Sequence, residues 1–229
     1  MRPSLQRALP ALSPLFVLVA GPALGQEALY GAQPPPGSAF VRFVNTTGAP
    51  VEVRPAFLAS SSLGVAGPSR VSAYAVVEKV AGRTLPLEVR ESGQSATAAL
   101  AVAPDSFNTV LVEESAGKLS TVLVKDGAEF NQARARLSFY NATPGCAAAA
   151  LALAPAGTAV FADVAAGAVK TRSVNPVKAM VRATCTGSAA EDVMLDNMEA
   201  GGSYSVWLMA PGGKATTFIT RDTTLPYKP

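Results

Sequence analysis

Chemistry in this chain would have to come from a short list of side chains. There is no histidine anywhere in the 229 residues. That removes a Ser-His-Asp arrangement, imidazole metal sites and the commonest general base near neutral pH. No Gly-x-Ser-x-Gly elbow is present either. Ser120 lies close to Lys118 and Lys125, and a Ser–Lys pair can activate a hydroxyl. Serines on strand faces are ordinary, however, so the spacing alone carries little weight. Gly212-Gly213-Lys214 has the look of a phosphate loop, but Ala215 follows the lysine where a metal-binding hydroxyl would be needed. A hairpin turn explains Pro211-Gly212-Gly213 better. Glu191, Asp192, Asp196 and Glu199 are enough carboxylates for calcium but lack the glycine and ligand spacing of a calcium loop. They read as a solvated strand and turn. The expectation is a protein with no catalytic residue, no metal and no cofactor.

Cys146 and Cys185 are the two cysteines. An even count in an exported chain points to a disulfide. Closing a loop of about 40 residues would stabilise the fold by about 3–4 kcal/mol in the chain-entropy model.

Export is read from the first residues. Arg2 and Arg7 form a positive region, Leu15 to Ala20 an apolar core, and Ala23-Leu24-Gly25 a small-residue cleavage site, giving a signal peptide over 1–25. Pro10 and Pro14 break the apolar run, which is too short for a good membrane span. The formal charge of +3 falls to +1 once both arginines leave. No basic cluster is interleaved with aromatics, which argues against nucleic acid as a partner.

The elements that must hold these residues are strands. Turn signals recur about every ten residues and helical periodicity is scarce, the pattern of sandwiches or barrels. Leu85, Leu87 and Val89 alternate with Pro86, Glu88 and Arg90; Val177, Ala179, Val181 and Ala183 alternate with Lys178, Met180 and Arg182. Such a period of two means one face on a core and one in water. Pro86 points to an edge strand, since proline cannot donate to a ladder. Glu113 and Glu114 are adjacent and face opposite ways around an Ala116-Gly117 hairpin.

A weak internal repeat organises the rest. Phe43-Val44-Asn45-Thr46-Thr47 matches Phe139-Tyr140-Asn141-Ala142-Thr143, 96 positions on. Asn at the strand end can close an Asx-turn, which also explains the glycosylation-like Asn-x-Thr triplets. The fold expected is all-β, with two tandem small β-sandwich domains, immunoglobulin-like or jelly-roll-like, over 38–126 and 135–229. Residues 126–132 form a short linker, and 26–37 an extended N-terminal arm. First-half strands are expected near 39–45, 50–57, 71–78, 84–90, 95–102, 106–114 and 118–125. Second-half strands are expected near 135–141, 147–153, 158–163, 177–184, 190–196, 203–210 and 214–221. Trp207 and Tyr204 differ by three positions and point to opposite sides of one strand. Trp207 then reads as a core anchor, which counts against a stacked sugar platform. Tyr30 and Tyr227 remain as loop aromatics.

Two patches carry a family resemblance. Leu29-Tyr30-Gly31, the stiff Pro34-Pro35-Pro36 spacer, Gly37-Ser38-Ala39-Phe40-Val41-Arg42 and Asn45 resemble the start of the mature chain in the AlgF family, the periplasmic accessory proteins of alginate O-acetylation. Asn175-Pro176-Val177-Lys178 resembles that family's second half. The resemblance implies a periplasmic, non-catalytic adaptor that docks a periplasmic O-acetyltransferase and a membrane-bound O-acyltransferase, with the polysaccharide itself as a further candidate partner. Leu29, Tyr30, Gly31, Gly37, Ser38, Phe40, Arg42, Asn45, Asn175, Pro176 and Lys178 are the candidate contact residues. The alternative reading is a carbohydrate-binding module. The alanine-rich second half departs from the family pattern.

Overall fold

The computed structural model describes residues 33–186 and 188–227. The signal peptide, its cleavage site and Leu29-Tyr30-Gly31 lie outside the described residues.

The described chain is all-β apart from two single-turn 3-10 segments. The first half contains β1 (Ala39–Asn45), β2 (Val51–Pro55), β3 (Ser61–Leu63), β4 (Ala75–Val77), β5 (Leu85–Glu91), β6 (Gln94–Leu100), β7 (Phe107–Ser115) and β8 (Lys118–Asp126). The second contains β9 (Ala135–Asn141), β10 (Ala149–Leu153), β11 (Ala159–Val164), β12 (Ala168–Val174), β13 (Ala179–Cys185), β14 (Ser188–Ala189), β15 (Val193–Leu195), β16 (Ser203–Met209) and β17 (Thr216–Arg221). Each half has an outer and an inner sheet. In the first half the orders are β3-β2-β5-β6 and β4-β1-β7-β8. In the second they are β11-β10-β13-β14, with β15 also on β13, and β12-β9-β16-β17.

Both inner sheets are built on a parallel pair, β1 with β7 and β9 with β16. These strands read as near-continuous apolar runs because both of their faces are covered. One face of each inner sheet packs on its own outer sheet: Val41, Val53, Leu87 and Val110 in the first half, Leu137, Leu151, Val181 and Val206 in the second. The other faces meet each other, where Val44, Leu111 and Val124 pack against Tyr140, Trp207 and Met209. Every residue of β1 is buried as a result.

The repeat extends beyond the motif that reveals it. The backbone bonds Asp105 N–H to Ser38 O (2.8 Å), Phe40 N–H to Ser106 O (2.9 Å) and Thr46 N–H to Val112 O (3.0 Å) recur 96 positions later. There they are Gly201 to Arg134 (3.0 Å), Arg136 to Gly202 (2.8 Å) and Ala142 to Leu208 (2.8 Å). Asn45 donates through Nδ2 to the carbonyls of Ala49 and Gly64, and Asn141 donates likewise to those of Cys146 and Val164. Each Asn Oδ1 accepts the N–H two residues on, from Thr47 or Thr143, the expected Asx-turn.

Several expectations are corrected, while the opposite faces of Glu113 and Glu114 and the Ala116-Gly117 hairpin are met. Strand β5 is central, not an edge. Its ladder with β2 ends at Pro55–Leu87, so Pro86 lies just past that pairing and costs no bond to β2. Val177 is exposed in the connection before β13, while Val181 and Ala183 of the same expected face are buried. Asp126 is the buried last residue of β8 rather than the first of a linker. Glu113 is buried and Glu114 exposed, and burial raises the Glu113 carboxyl above its usual range. Strand β12 occupies a span with no expected strand, because Lys170 and Arg172 interrupt its apolar pattern. The Ala116-Gly117 turn joins β7 to β8 with both residues at positive φ, as a two-residue hairpin requires.

Candidate functional site

The densest polar chemistry sits where the inner sheets meet. Arg42 projects from β1 and is 1% exposed. Its Nε donates to Thr109 Oγ1 (2.9 Å), Nη1 to Asp222 Oδ1 (2.7 Å), and Nη2 to Tyr140 Oη (2.8 Å) and Ser205 Oγ (3.2 Å). Its guanidinium carbon lies 4.4 Å from the Tyr74 ring centroid and 4.9 Å from that of Trp207, within cation–π range. Asp126 accepts from Tyr74, Thr109 and Tyr140 at 2.7–2.8 Å. Asp222 also accepts from Ser205 (2.7 Å). Tyr140 stacks on Trp207 at 4.1 Å between centroids.

This network is repeat-symmetric at its acids and asymmetric at its base. Asp126 and Asp222 are 96 apart, as are their hydroxyl donors Thr109 and Ser205. Arg42 has Ser138 as its equivalent. One arginine therefore reaches across to the other half's aspartate. Burial works against the Arg42 charge, but Asp222 with Tyr140, Tyr74 and Asp126 outweighs it and holds the guanidinium pKa well above its ordinary value. Burial is the main cause raising the Tyr74 and Tyr140 phenols. With its donors and acceptors engaged by one another, the cluster fastens the halves together and presents no free nucleophile.

Beside it opens a cleft of about 830 Å³ between the halves, at the end where the parallel strands begin. Pro34 and Pro36 of the arm, Phe107 and Phe130 form apolar walls; Arg136, Ser203, Asp222 and Thr223 form polar ones. Arg136 donates through Nη1 to Gly127 O (2.5 Å) and through Nη2 to Asp222 Oδ2 (3.4 Å), while its buried Nε has no partner among the described residues. Phe130 stands 40% exposed at the rim. The shape suits a ligand or peptide segment.

The structure distributes the sequence-derived candidates unevenly. Gly37 turns with φ +74°, and Ser38 hydroxyl bonds Pro35 O to start β1. Phe40 packs with Tyr74 and Phe107 behind the cleft wall. Arg42 and Asn45 are structural as described. Asn175, Pro176 and Lys178 are exposed in the connection leaving β12. Val174, the last residue of β12, pairs with Ala135 next to Arg136, so this connection leaves the inner sheet at the cleft end. Cys146 and Cys185 form a disulfide. Trp207 is buried, and so is Tyr204 on the opposite face, because the inner sheet has no solvent side. Ser120, Lys118 and Lys125 are exposed on β8, with no hydrogen bond between serine and lysine among the described residues. Asp192 is held by Arg182 at 2.5 Å and Glu199 by Arg221 at 2.7 Å. Among the described residues no cluster of acidic or sulfur ligands could hold a metal. Tyr227 donates to Glu78 beside a second, shallower pocket.

Asp126, Asp222, Tyr74, Thr109, Arg136 and Ser205 were not legible as site residues by type. The repeat offset was the one signal available, since it pairs Asp126 with Asp222 and Thr109 with Ser205.

The family model described as "Alginate O-acetyl transferase AlgF" matches residues 17–205. The chain belongs to the AlgF family and, with it, to the proteins of alginate O-acetylation. No curated protein matches the chain. Among solved structures, a putative cell adhesion protein from Bacteroides ovatus is similar at 10% identity over 85% of this chain and 100% of that one, with a TM-score of 0.27. A likeness that distant carries no argument. Among the described residues no helix is long and apolar enough to cross a membrane.

Proposed function

We propose that this protein is a non-catalytic periplasmic adaptor of alginate O-acetylation, exported by a cleaved signal peptide. It holds the periplasmic O-acetyltransferase and the membrane-bound O-acyltransferase components in working order. The two repeats act as two β-sandwich domains, 38–126 and 135–229, fixed to each other by the Arg42 network. The observation that carries this reading is the use made of the family-like segment 37–45. Its Phe40 and Arg42 brace the cleft wall and the junction, and its Asn45 closes the end of β1, rather than assembling a nucleophile with a base. The absence of histidine from the sequence agrees with acyl chemistry being done elsewhere.

A pull-down from envelope extract with the mature chain tests it. The expected result is co-purification of an acetyltransferase component. Deletion should leave polymer secretion intact and abolish acetylation. Acetyl turnover from a chromogenic ester by the purified chain alone would overturn the reading. A carbohydrate-binding role is the competing account, favoured by Phe130 and Arg136 in one cleft. It requires direct retention by alginate oligomers that is lost on Phe130→Ala.

A further inference from the structure

The exposed sulfur of this chain is gathered in one place. Both cysteines are engaged in the Cys146–Cys185 bond, and among the described residues no cysteine is free. Four of the five methionines lie among the described residues. Met198 (8% exposed) packs in the second-half core, and Met209 (0%) packs in the junction between the inner sheets. Met180 and Met194 stand 38% and 39% exposed. Trp207, another oxidisable side chain, is buried.

The two exposed methionines are partners. Strand β15 lies antiparallel on β13 with Met180 directly opposite Met194. Val181 and Leu195, their neighbours in sequence, point into the core, so both methionines project from the outer face. Directly opposite residues on one face are within side-chain reach of each other. On the other side of Met180 lies Ala154, whose N–H donates to the Met180 carbonyl (2.9 Å). The charged side chains nearby in the same strands and connection, Arg182 and Asp192, are bonded to each other at 2.5 and 2.9 Å. The first half supplies an internal control. Its outward pairs on β5 and β6 include Pro86–Ala99 and Glu88–Thr97, and no methionine or cysteine occurs between residues 33 and 145.

We infer that the Met180–Met194 pair is an oxidation site, each thioether taking one oxygen atom from a hydroperoxide such as hydrogen peroxide. The sulfur lone pair attacks one peroxide oxygen. An S–O bond forms as the O–O bond breaks, and the second oxygen leaves as water with the proton of the transferred hydroxyl. Sulfur gives up two electrons and the peroxide takes them. The product is a sulfoxide, which is polar and is returned to the thioether by sulfoxide reductases. Oxidation of a core methionine disrupts packing. Here both side chains face water, so the conversion turns an apolar patch of the outer sheet polar and leaves the two cores intact. This goes beyond the adaptor reading and does not depend on it: failed co-purification of a partner would leave the site standing, and an inert pair would leave the adaptor standing.

Peptide mass spectrometry of the purified chain after graded exposure to hydrogen peroxide tests the inference. The expected result is one added oxygen on Met180 and one on Met194, each at a rate at least about tenfold above Met198 and Met209, which react only when the structure opens. Circular dichroism and the melting temperature should hold, and the oxidised chain should elute earlier from a hydrophobic-interaction column. A methionine sulfoxide reductase supplied with a dithiol should remove both oxygens, which leave as water while the dithiol becomes a disulfide. Met180→Leu with Met194→Leu should abolish the fast uptake. Equal oxidation of all four methionines overturns the inference, as does an inert Met180–Met194 pair. Loss of the fold in step with the first two oxygens overturns it as well, because the pair would then be part of the core's support.

Discussion

The two repeats solve the same problem with different chemistry. At the end of the inner strand, Asn45 and Asn141 make the same carbonyl bonds. The segment each asparagine holds is then tied to the far end of the outer-sheet strand. In the first repeat the tie is polar: Glu91 Oε1 accepts from Thr47 Oγ1 (2.7 Å) and Ala49 N–H (3.0 Å). In the second, Cys146 takes the place of Ala49 and Cys185 that of Glu91, and the tie is covalent. The cores differ to match. Leu85, Leu87 and Val89 fill the inner face of β5, whereas Ala179, Val181 and Ala183 line that of β13. A thinner core has less apolar area to remove from water, and a cross-link offsets that by restricting the unfolded chain.

Outward faces diverge further. The first repeat shows the ion pairs Glu52–Arg54 (2.9 Å) and Glu88–Arg90 (2.8 Å), while the second shows Ala150, Ala152, Met180 and Met194 with Arg182–Asp192. In the inner sheets β1, β7 and β8 keep the offset of 96 in β9, β16 and β17, and β4 to β12 runs at 97; outer sheets drift further, from Val51 to Ala149 and from Leu85 to Ala179. The junction tolerates little change because both its faces are packed and its charges are buried, whereas an outer face meets water.

The sharpest way to break the comparison is at its asymmetric member. Arg42→Met should destabilise the whole chain by about 3–5 kcal/mol, because Asp222 is left charged and buried without its partner. Urea unfolding measures it, and Arg136 alone, 3.4 Å from Asp222, should not compensate. Next in size is the covalent tie. Cys146→Ala with Cys185→Ala should cost about 3–4 kcal/mol. The matching polar tie, removed by Glu91→Ala, should cost about 1–3 kcal/mol. Equal losses would show that the polar and covalent ties are energetically equivalent. Asn45→Ala and Asn141→Ala should each cost about 1–3 kcal/mol. Asn45 should be the larger, since Arg70 also donates to the Asn45 and Thr47 carbonyls.

A pH series separates the junction from the outer sheets. The Tyr74 and Tyr140 phenols are raised in the folded state above an ordinary value of 10.0. The unfolded chain therefore releases those protons first. Their stabilisation is complete below pH 10 and falls as pH climbs beyond it. Tyr140→Phe should flatten that alkaline loss in pH-dependent melting. Smallest of all, Met180→Glu on the exposed face of β13 should shift stability by no more than about 0.5 kcal/mol.

What the sequence determined is what local pattern can carry. Alternation in 85–90 set the buried face of β5, and Ala116-Gly117 set the β7–β8 hairpin. Two cysteines, read together with an expected export signal, implied their bond, and two Asn motifs disclosed the repeat. The resemblance in 37–45 pointed to the right family. Tertiary structure decided the rest. Alternation reports burial on one side only; the near-continuous apolar runs of β1, β7, β9 and β16 are compatible with burial on both sides but do not say which sheet covers the second. Arg42 reads as a candidate contact residue and Asp126 as the start of a linker, and only a partner 180 residues away turned Arg42 into a buried clasp. Burying a charge costs several kcal/mol unless its counter-charge and donors are already in place. Those groups converge from β1, β7, β8, β9, β16 and the chain after β17, a meeting that no stretch of sequence contains.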